Sequence, residues 1–178
     1  MSTRWFTEID SPVGALRLVA DATGLRRIDL LGGVNPPMRE VDWREDRASL
    51  SEAVSQLEAY FAGKLRDFEL ALAPEGSPFQ VSVWERLAEI PYGETTSYGE
   101  IARRIGNPNA SRAVGLANGR NPIPIVIPCH RVIGSSGALV GYGGGLPIKV
   151  ALLALERGSL PLPTATPAAR ASRTRVRP

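Results

Sequence analysis

The sequence predicts an α+β chain in two units, a small antiparallel sheet covered by one helix and then a mainly helical unit. Three observations predict it. Apolar and polar residues alternate through the first third, an amphipathic helical pattern follows at 50–61, and a proline- and glycine-bearing stretch at 73–78 precedes a series of short helices. With 178 residues, of which 43% are hydrophobic and 22% charged, the chain can bury the core of an ordinary soluble domain.

The alternation begins at Trp5-Phe6 and runs through Val13, Ala15, Leu16, Leu18 and Val19. It turns at Asp21-Ala22-Thr23-Gly24 and resumes with Leu25, Ile28, Leu30 and Leu31, as hairpin strands do. Ser49 and Glu52 have the spacing of a capping box, in which each side chain caps the other's backbone. Behind them Leu50, Ala53, Val54, Leu57, Tyr60 and Phe61 fall on one helical face, and Gly63 is the expected stop. We therefore place a first unit at 1–73 and a linker at 74–78.

The second unit, 79–157, opens with a helix over about 79–89 that turns Val83, Trp84 and Leu87 inward and stops at Ile90-Pro91-Tyr92-Gly93. Ser97 and Glu100 repeat the capping-box spacing ahead of Ile101 and Ile105. Gly106-Asn107-Pro108-Asn109 then turns the chain into a second short helix over 110–118, which ends at Gly119. This is a helix-turn-helix pattern. Its second helix carries Ala110, Ser111, Ala113, Gly115 and Ala117, with Arg112 as the one long cation. Small residues there permit close approach to DNA or close packing on a neighbouring helix, and one arginine reads little base sequence in either case. A last helix over about 147–157 supplies Val150, Leu152, Leu153 and Leu155 to the core, with Glu156 near its end.

The chemistry-bearing residues converge on one place. The chain has one cysteine and one histidine, adjacent as Cys129 and His130. One cysteine cannot close an intrachain disulfide, and this pair cannot complete a tetrahedral zinc shell. A thiol nucleophile or an inert buried cysteine remains. The preceding residues, Asn121-Pro122-Ile123-Pro124-Ile125-Val126-Ile127-Pro128, predict an extended approach. Neighbouring side chains would then diverge, leaving His130 to reach Cys129 through a water or a local bend. The glycine-rich Gly141-Tyr142-Gly143-Gly144-Gly145 lacks the context of a phosphate-binding loop. It better suits a flat ligand sliding against backbone, with Tyr142 as a stacking face.

Charge is concentrated at the end. Arg170, Arg173, Arg175 and Arg177 follow Gly158 with no acid among them, so the net +3 becomes −1 when they are set aside. The tail, 158–178, has the composition of a disordered segment. No apolar run reaches the roughly 18 residues of a membrane span, and the first ten residues do not form a signal-peptide core, so a cytoplasmic protein is expected.

The stretch Ile-Pro-Cys-His-Arg-Val at 127–132 resembles the O6-alkylguanine-DNA alkyltransferase family. So do Ser-Tyr-Gly-Glu-Ile-Ala at 97–102, Arg-Ala-Val-Gly-Leu-Ala-Asn-Gly-Arg-Asn-Pro at 112–122, Gly-Tyr-Gly-Gly-Gly at 141–145 and Leu-Leu-Ala-Leu-Glu at 152–156. The likeness runs in register over 79–156. The first unit resembles that family's ribonuclease-H-like domain in pattern only, through Ser-Pro-Val-Gly-Ala-Leu at 11–16 and Tyr-Phe-Ala-Gly at 60–63.

What the resemblance implies is a suicide repair protein. Cys129 would take an alkyl group from O6-alkylguanine in double-stranded DNA, and less well from O4-alkylthymine, in a single turnover with no cofactor and no metal. His130 would activate the thiol through a water, Glu156 would hold the His130 tautomer, and Asn121 would brace the active-site hinge. Tyr98 would protonate the departing guanine and rotate the target phosphate, while Arg112 would fill the gap left by the flipped nucleotide. Ala110, Ser111, Gly115 and Ser135 would join Arg112 and Tyr98 at the DNA, the helix lying in the minor groove. Pro124, Val132, Ser135, Tyr142 and Gly143 would line the guanine pocket, and Lys149 would support the last helix. A monomer with little sequence specificity is expected, with loading of several copies on DNA left open. Gly119 stands where some relatives have an extra arginine, and Arg120 follows it. Two rivals, a non-catalytic lesion binder and a cysteine hydrolase, are disfavoured by the presence of Cys129 and by its adjacency to His130.

Overall fold

The computed structural model describes residues 3–33 and 36–159, so the predicted basic tail lies almost wholly outside the described residues. Strands β1 (Trp5–Ile9), β2 (Leu16–Asp21) and β3 (Gly24–Leu30) form the predicted antiparallel meander. A two-residue strand, β4 (Arg44–Glu45), adds to the outer edge in parallel with β1, giving the order β3-β2-β1-β4. Nothing in the sequence announces β4, because both of its residues are exposed and its only signature is backbone pairing.

The sheet buries both faces, more than simple alternation implies. Leu16, Leu18 and Ala20 of β2 enter the main core, whereas Val19 points the other way beneath Phe6 and Trp43. Asp21 sets the β2–β3 turn by accepting the Thr23 backbone N–H (2.8 Å) and hydroxyl (2.6 Å). Gly24 then leaves the turn at φ +140°, where any Cβ would run into the Ala71 carbonyl.

Helix α1 (Ser51–Phe61) lays Ala53, Val54, Leu57 and Tyr60 on the sheet. Its predicted capping box does not form. Asp46, three residues earlier, accepts the Ser49 hydroxyl (2.6 Å) and N–H (3.1 Å), so the N-cap falls on Leu50, which supplies no side-chain cap. Gly63 ends the helix as expected, in the left-handed region at φ +71°.

The approach to the predicted linker is pinned and not free. Gln56 clamps the Glu69 backbone (2.8 and 3.0 Å), Ala73 donates to the Leu25 carbonyl (2.9 Å), and the Arg26 guanidinium reaches the Ala73 carbonyl (3.0 Å). Helix α2 (Pro78–Ala88) begins one residue before the predicted start. Ser77 and Gln80 make a complete capping box there, a signal overlooked when the stretch is read as linker.

The paired helices are α3 (Tyr98–Arg104) and α4 (Ser111–Gly119), preceded by β5 (Thr96–Ser97). Ser97 caps α3 by accepting the Glu100 N–H (3.2 Å), but the Glu100 carboxylate turns to Arg103 and Arg104, so only half of the expected box exists. Trp84 of α2 ties down α4 by donating to the Ala117 carbonyl (2.9 Å). Strand β6 (Val132–Ile133) pairs with β5, and α5 (Leu146–Glu156) completes the unit. One contiguous core runs from Ile9 in the sheet to Leu152 in α5, so both halves of the chain share it. Among the described residues no helix is long and apolar enough to cross a membrane.

Leu57 is fully buried where α1 meets the sheet. Leu57→Ala is expected to cost about 2–5 kcal/mol, read as a lower urea midpoint with an unchanged slope. A loss below about 1 kcal/mol would contradict this packing.

Candidate active site

The chain reaches the thiol through a reversal, and the predicted extended approach is wrong. Ile123, Ile125 and Ile127 are buried, and satisfying all three folds residues 123–127 back on themselves, with Ile127 N–H bonded to the Ile123 carbonyl (2.9 Å). Ile125 sits at φ +76°, a conformation costly for a β-branched residue. Asn121 braces the reversal from both sides. Its amide donates to the Ile127 carbonyl (2.7 Å), and its oxygen accepts the Ile123 N–H (3.0 Å). Cys129, His130 and Arg131 then form one 3-10 turn, the local bend that extended geometry would have denied them.

Cys129 is 4% exposed and His130 is wholly buried. His130 Nε2 lies 2.7 Å from Glu156 Oε1. That carboxylate is held by four further donors: the Tyr60 hydroxyl (2.7 Å), Arg131 Nη2 (2.9 Å) and Nε (2.9 Å), and the Gly93 N–H (3.1 Å). Burial alone would raise the Glu156 pKa, but hydrogen bonds from His130 and Arg131 outweigh it and hold the group at about 2. An ionised carboxylate only accepts, so the proton of the pair resides on His130 Nε2. His130 Nδ1 is then an acceptor, and it is buried with no protein partner among the described residues.

Burial also sets the resting state of both reactive groups. It lowers the His130 pKa, against the pull of Glu156, and pushes the Cys129 thiol up to about 11, with Asn121 and Lys149 opposing. Thiol and imidazole therefore rest neutral, and a water joining the thiol to His130 Nδ1 would let the proton move as the sulfur reacts. Lys149, fully buried, donates to the carbonyls of Val132 (2.7 Å), Val140 (3.1 Å) and Gly141 (3.4 Å), fastening the glycine-rich loop to the segment after the thiol.

The predicted pocket residues divide between two clefts. Cys129 opens into one of about 350 Å³, with Pro124, Tyr142 and Gly143 as predicted, together with Asn121 and Arg120. Ile28, Asp29 and Leu30 of β3 form part of its wall, so the first unit helps to shape the thiol's surroundings. Ser135 lies instead in a groove of about 530 Å³ with Tyr98, Ser111, Arg112 and Gly115. The Tyr98 hydroxyl donates to the Val140 carbonyl (3.1 Å) at that groove. Val132 lines neither cleft because it is fully buried in the β5–β6 pair. Ala110 also lines neither, standing at the N-cap of α4. Arg112 is exposed and has no hydrogen-bond or ion-pair partner among the described residues.

Sequence reasoning missed Tyr60, Arg131, Gly93 and Asn118. Arg131 had a signal, since it directly follows the Cys129-His130 pair, but the reach of Tyr60 across 96 positions had none. Asn118 donates to the Cys129 carbonyl (3.5 Å), and its oxygen is buried without a partner among the described residues.

A helix pair carrying the exposed Arg103, Arg104 and Arg112 thus accompanies a buried cysteine whose neighbouring histidine is buried on Glu156. Comparison with known proteins gives the family. Residues 78–158 match the DNA-binding domain of 6-O-methylguanine DNA methyltransferase, and residues 6–74 match its ribonuclease-like domain. The methylated-DNA–protein-cysteine methyltransferase of Methanosarcina barkeri is 55% identical over 156 residues, covering 88% of this chain and 99% of that one. The Mycobacterium tuberculosis protein of the same name is 53% identical over 88% of this chain and 94% of its own. Among solved structures, the M. tuberculosis OGT in complex with DNA superposes with a TM-score of 0.82 at 51% identity, covering 88% and 95% of the two chains. The chain therefore belongs to the methylated-DNA–protein-cysteine methyltransferase family, a family of DNA-repair proteins.

The site predicts acid sensitivity. His130 and Glu156 both have folded pKa values below their unfolded ones, so the unfolded chain binds more protons and stability rises with pH. The melting temperature is expected to fall from about pH 6.5 as His130 charges, and further between about 4.5 and 2 as Glu156 protonates. His130→Gln should remove the upper part of that fall. An unchanged melting temperature from pH 7 to 4 would contradict the linkage.

Proposed function

We propose that the protein repairs DNA by moving the alkyl group of O6-alkylguanine onto its own Cys129, once per molecule, in double-stranded DNA with little sequence preference. The observation that carries this reading is the His130 imidazole, locked to Glu156 at Nε2 and left open at Nδ1, in the same 3-10 turn as a thiol that lines a cleft. O4-alkylthymine would be a poorer substrate of the same chemistry.

The step balances without a cofactor. The thiol proton passes through a water to His130 Nδ1 while the sulfur attacks the alkyl carbon opposite the C–O6 bond. A carbon–sulfur bond forms, and the C–O6 electron pair stays with the purine. Tyr98 protonates the guanine anion, then regains a proton from solvent as His130 releases one. Asn121 keeps the thiol's turn in place, and Lys149 holds Val132 and the loop that carries Tyr142 and Gly143. The thioether product offers no comparable leaving group, so no second turnover follows.

DNA binding follows from the α3–α4 pair lying in the minor groove. Ser111 and Gly115 allow close approach, Ala110 starts the helix, and Ser135 borders the same groove. Arg112, exposed and unpaired, enters the stack in place of the flipped nucleotide. Residues 1–73 form the ribonuclease-like unit and 79–157 the DNA-binding unit, acting together as a monomer.

Intact-protein mass spectrometry after incubation with an O6-methylguanine duplex tests the chemistry. Wild type should gain one methyl group and Cys129→Ser none; DNA binding with no adduct on wild type would favour a lesion-binding protein. Arg112→Ala should slow duplex repair about 10-fold or more, the loss expected for a desolvated contact of 1–3 kcal/mol, while reaction with free O6-benzylguanine stays near wild type. Equal loss of both reactions would remove Arg112 from flipping.

A further inference from the structure

We infer that Tyr60 is a positioning residue of the transfer site, its hydroxyl setting how strongly Glu156 draws on the His130 imidazole. The inference rests on the reading of His130 as the base. Tyr60 belongs to α1 of the first unit, is fully buried, and is wedged by Phe61, Phe68 and Tyr92 at ring-centroid distances of 5.3, 5.3 and 6.1 Å. A phenylalanine would fill the same space. The hydroxyl is therefore the part that packing does not explain, and it donates at 2.7 Å to Glu156 Oε1.

That oxygen already accepts from His130 Nε2 (2.7 Å) and Arg131 Nη2 (2.9 Å). A third donor is not needed to satisfy it; the consequence is to spread its negative charge. A carboxylate with less charge on Oε1 stabilises the His130 cation less, so the Tyr60 hydroxyl keeps the imidazole less basic. Arg131 acts in the same sense but brings its own positive charge to His130. Tyr60 weakens the carboxylate without adding charge, and remains a donor because burial, and then the Glu156 charge, raise its pKa. Of the other titratable groups, Lys149 on α5 acts on His130, Tyr92 after α2 and Tyr142 on the glycine-rich loop lie in the field of Glu156, and Cys129 precedes His130 in the 3-10 turn. None of these donates to Glu156. Besides the β3 wall of the thiol's cleft, the first unit thus reaches the Glu156–His130 pair through the Tyr60 hydroxyl.

The chain has one histidine, so a ¹⁵N-histidine NMR titration of the tag-free protein reads His130 without ambiguity. Tyr60→Phe should raise the His130 midpoint by roughly half a pH unit or more, because Oε1 recovers charge. 3-Fluorotyrosine placed at position 60 keeps the ring and strengthens the donor, and should lower the midpoint. The acid limb of the alkyl-transfer rate should move with each. If Tyr60→Phe does not fold, the fluorinated protein decides. A His130 midpoint unmoved in folded protein would overturn the inference. If the midpoint moves but the wild-type transfer limb does not follow it, the base assignment fails while the effect of Tyr60 on the imidazole stands.

Discussion

The Glu156 carboxylate is the interaction on which the site depends. It lies at the end of α5 and gathers donors from α1, from the turn after α2, and from the 3-10 turn that carries the thiol. An ionised carboxylate this buried is tolerated only when hydrogen-bonded, and losing its His130 and Arg131 donors together would strand charge in the core. The need for bonding therefore fixes the relative positions of three distant segments. It also fixes the histidine's tautomer, leaving Nδ1 as the acceptor.

Around that anchor the chain accepts local strain on the way to the thiol. Ile125 takes a left-handed conformation so that three isoleucines can be buried within five residues, and Asn121 compensates with two hydrogen bonds across the reversal. The result is a cysteine that is nearly buried yet lines a cleft. Burial keeps that thiol neutral at rest.

The two halves of the chain meet at this point more closely than a linker would suggest. β3 walls the thiol's cleft, α1 reaches Glu156 through Tyr60, and a single core passes beneath both. The α3–α4 groove is a second cleft. It gathers Tyr98, Ser111, Arg112 and Ser135, whereas Pro124, Tyr142 and Gly143 stay with the thiol. Lys149 connects the two regions by holding the Val140 and Gly141 carbonyls beside that of Val132.

The sequence by itself determined the periodic elements and the reactive pair. The β1–β3 meander, α1, the α3–α4 pair and α5 are legible because hydrophobic spacing reports which side of an element is buried. Cys129 and His130 stand out because each residue type occurs once, and the motifs around them point to the family. Tertiary structure decided what depends on competition between distant groups. Asp46 took Ser49 from the expected cap, β4 formed from two exposed residues by backbone pairing alone, and 121–128 turned back where local proline rules favoured extension. Tyr60 found Glu156 across most of the chain. Local patterns record the face a residue buries, whereas the partner of a buried polar group is set only when segments meet.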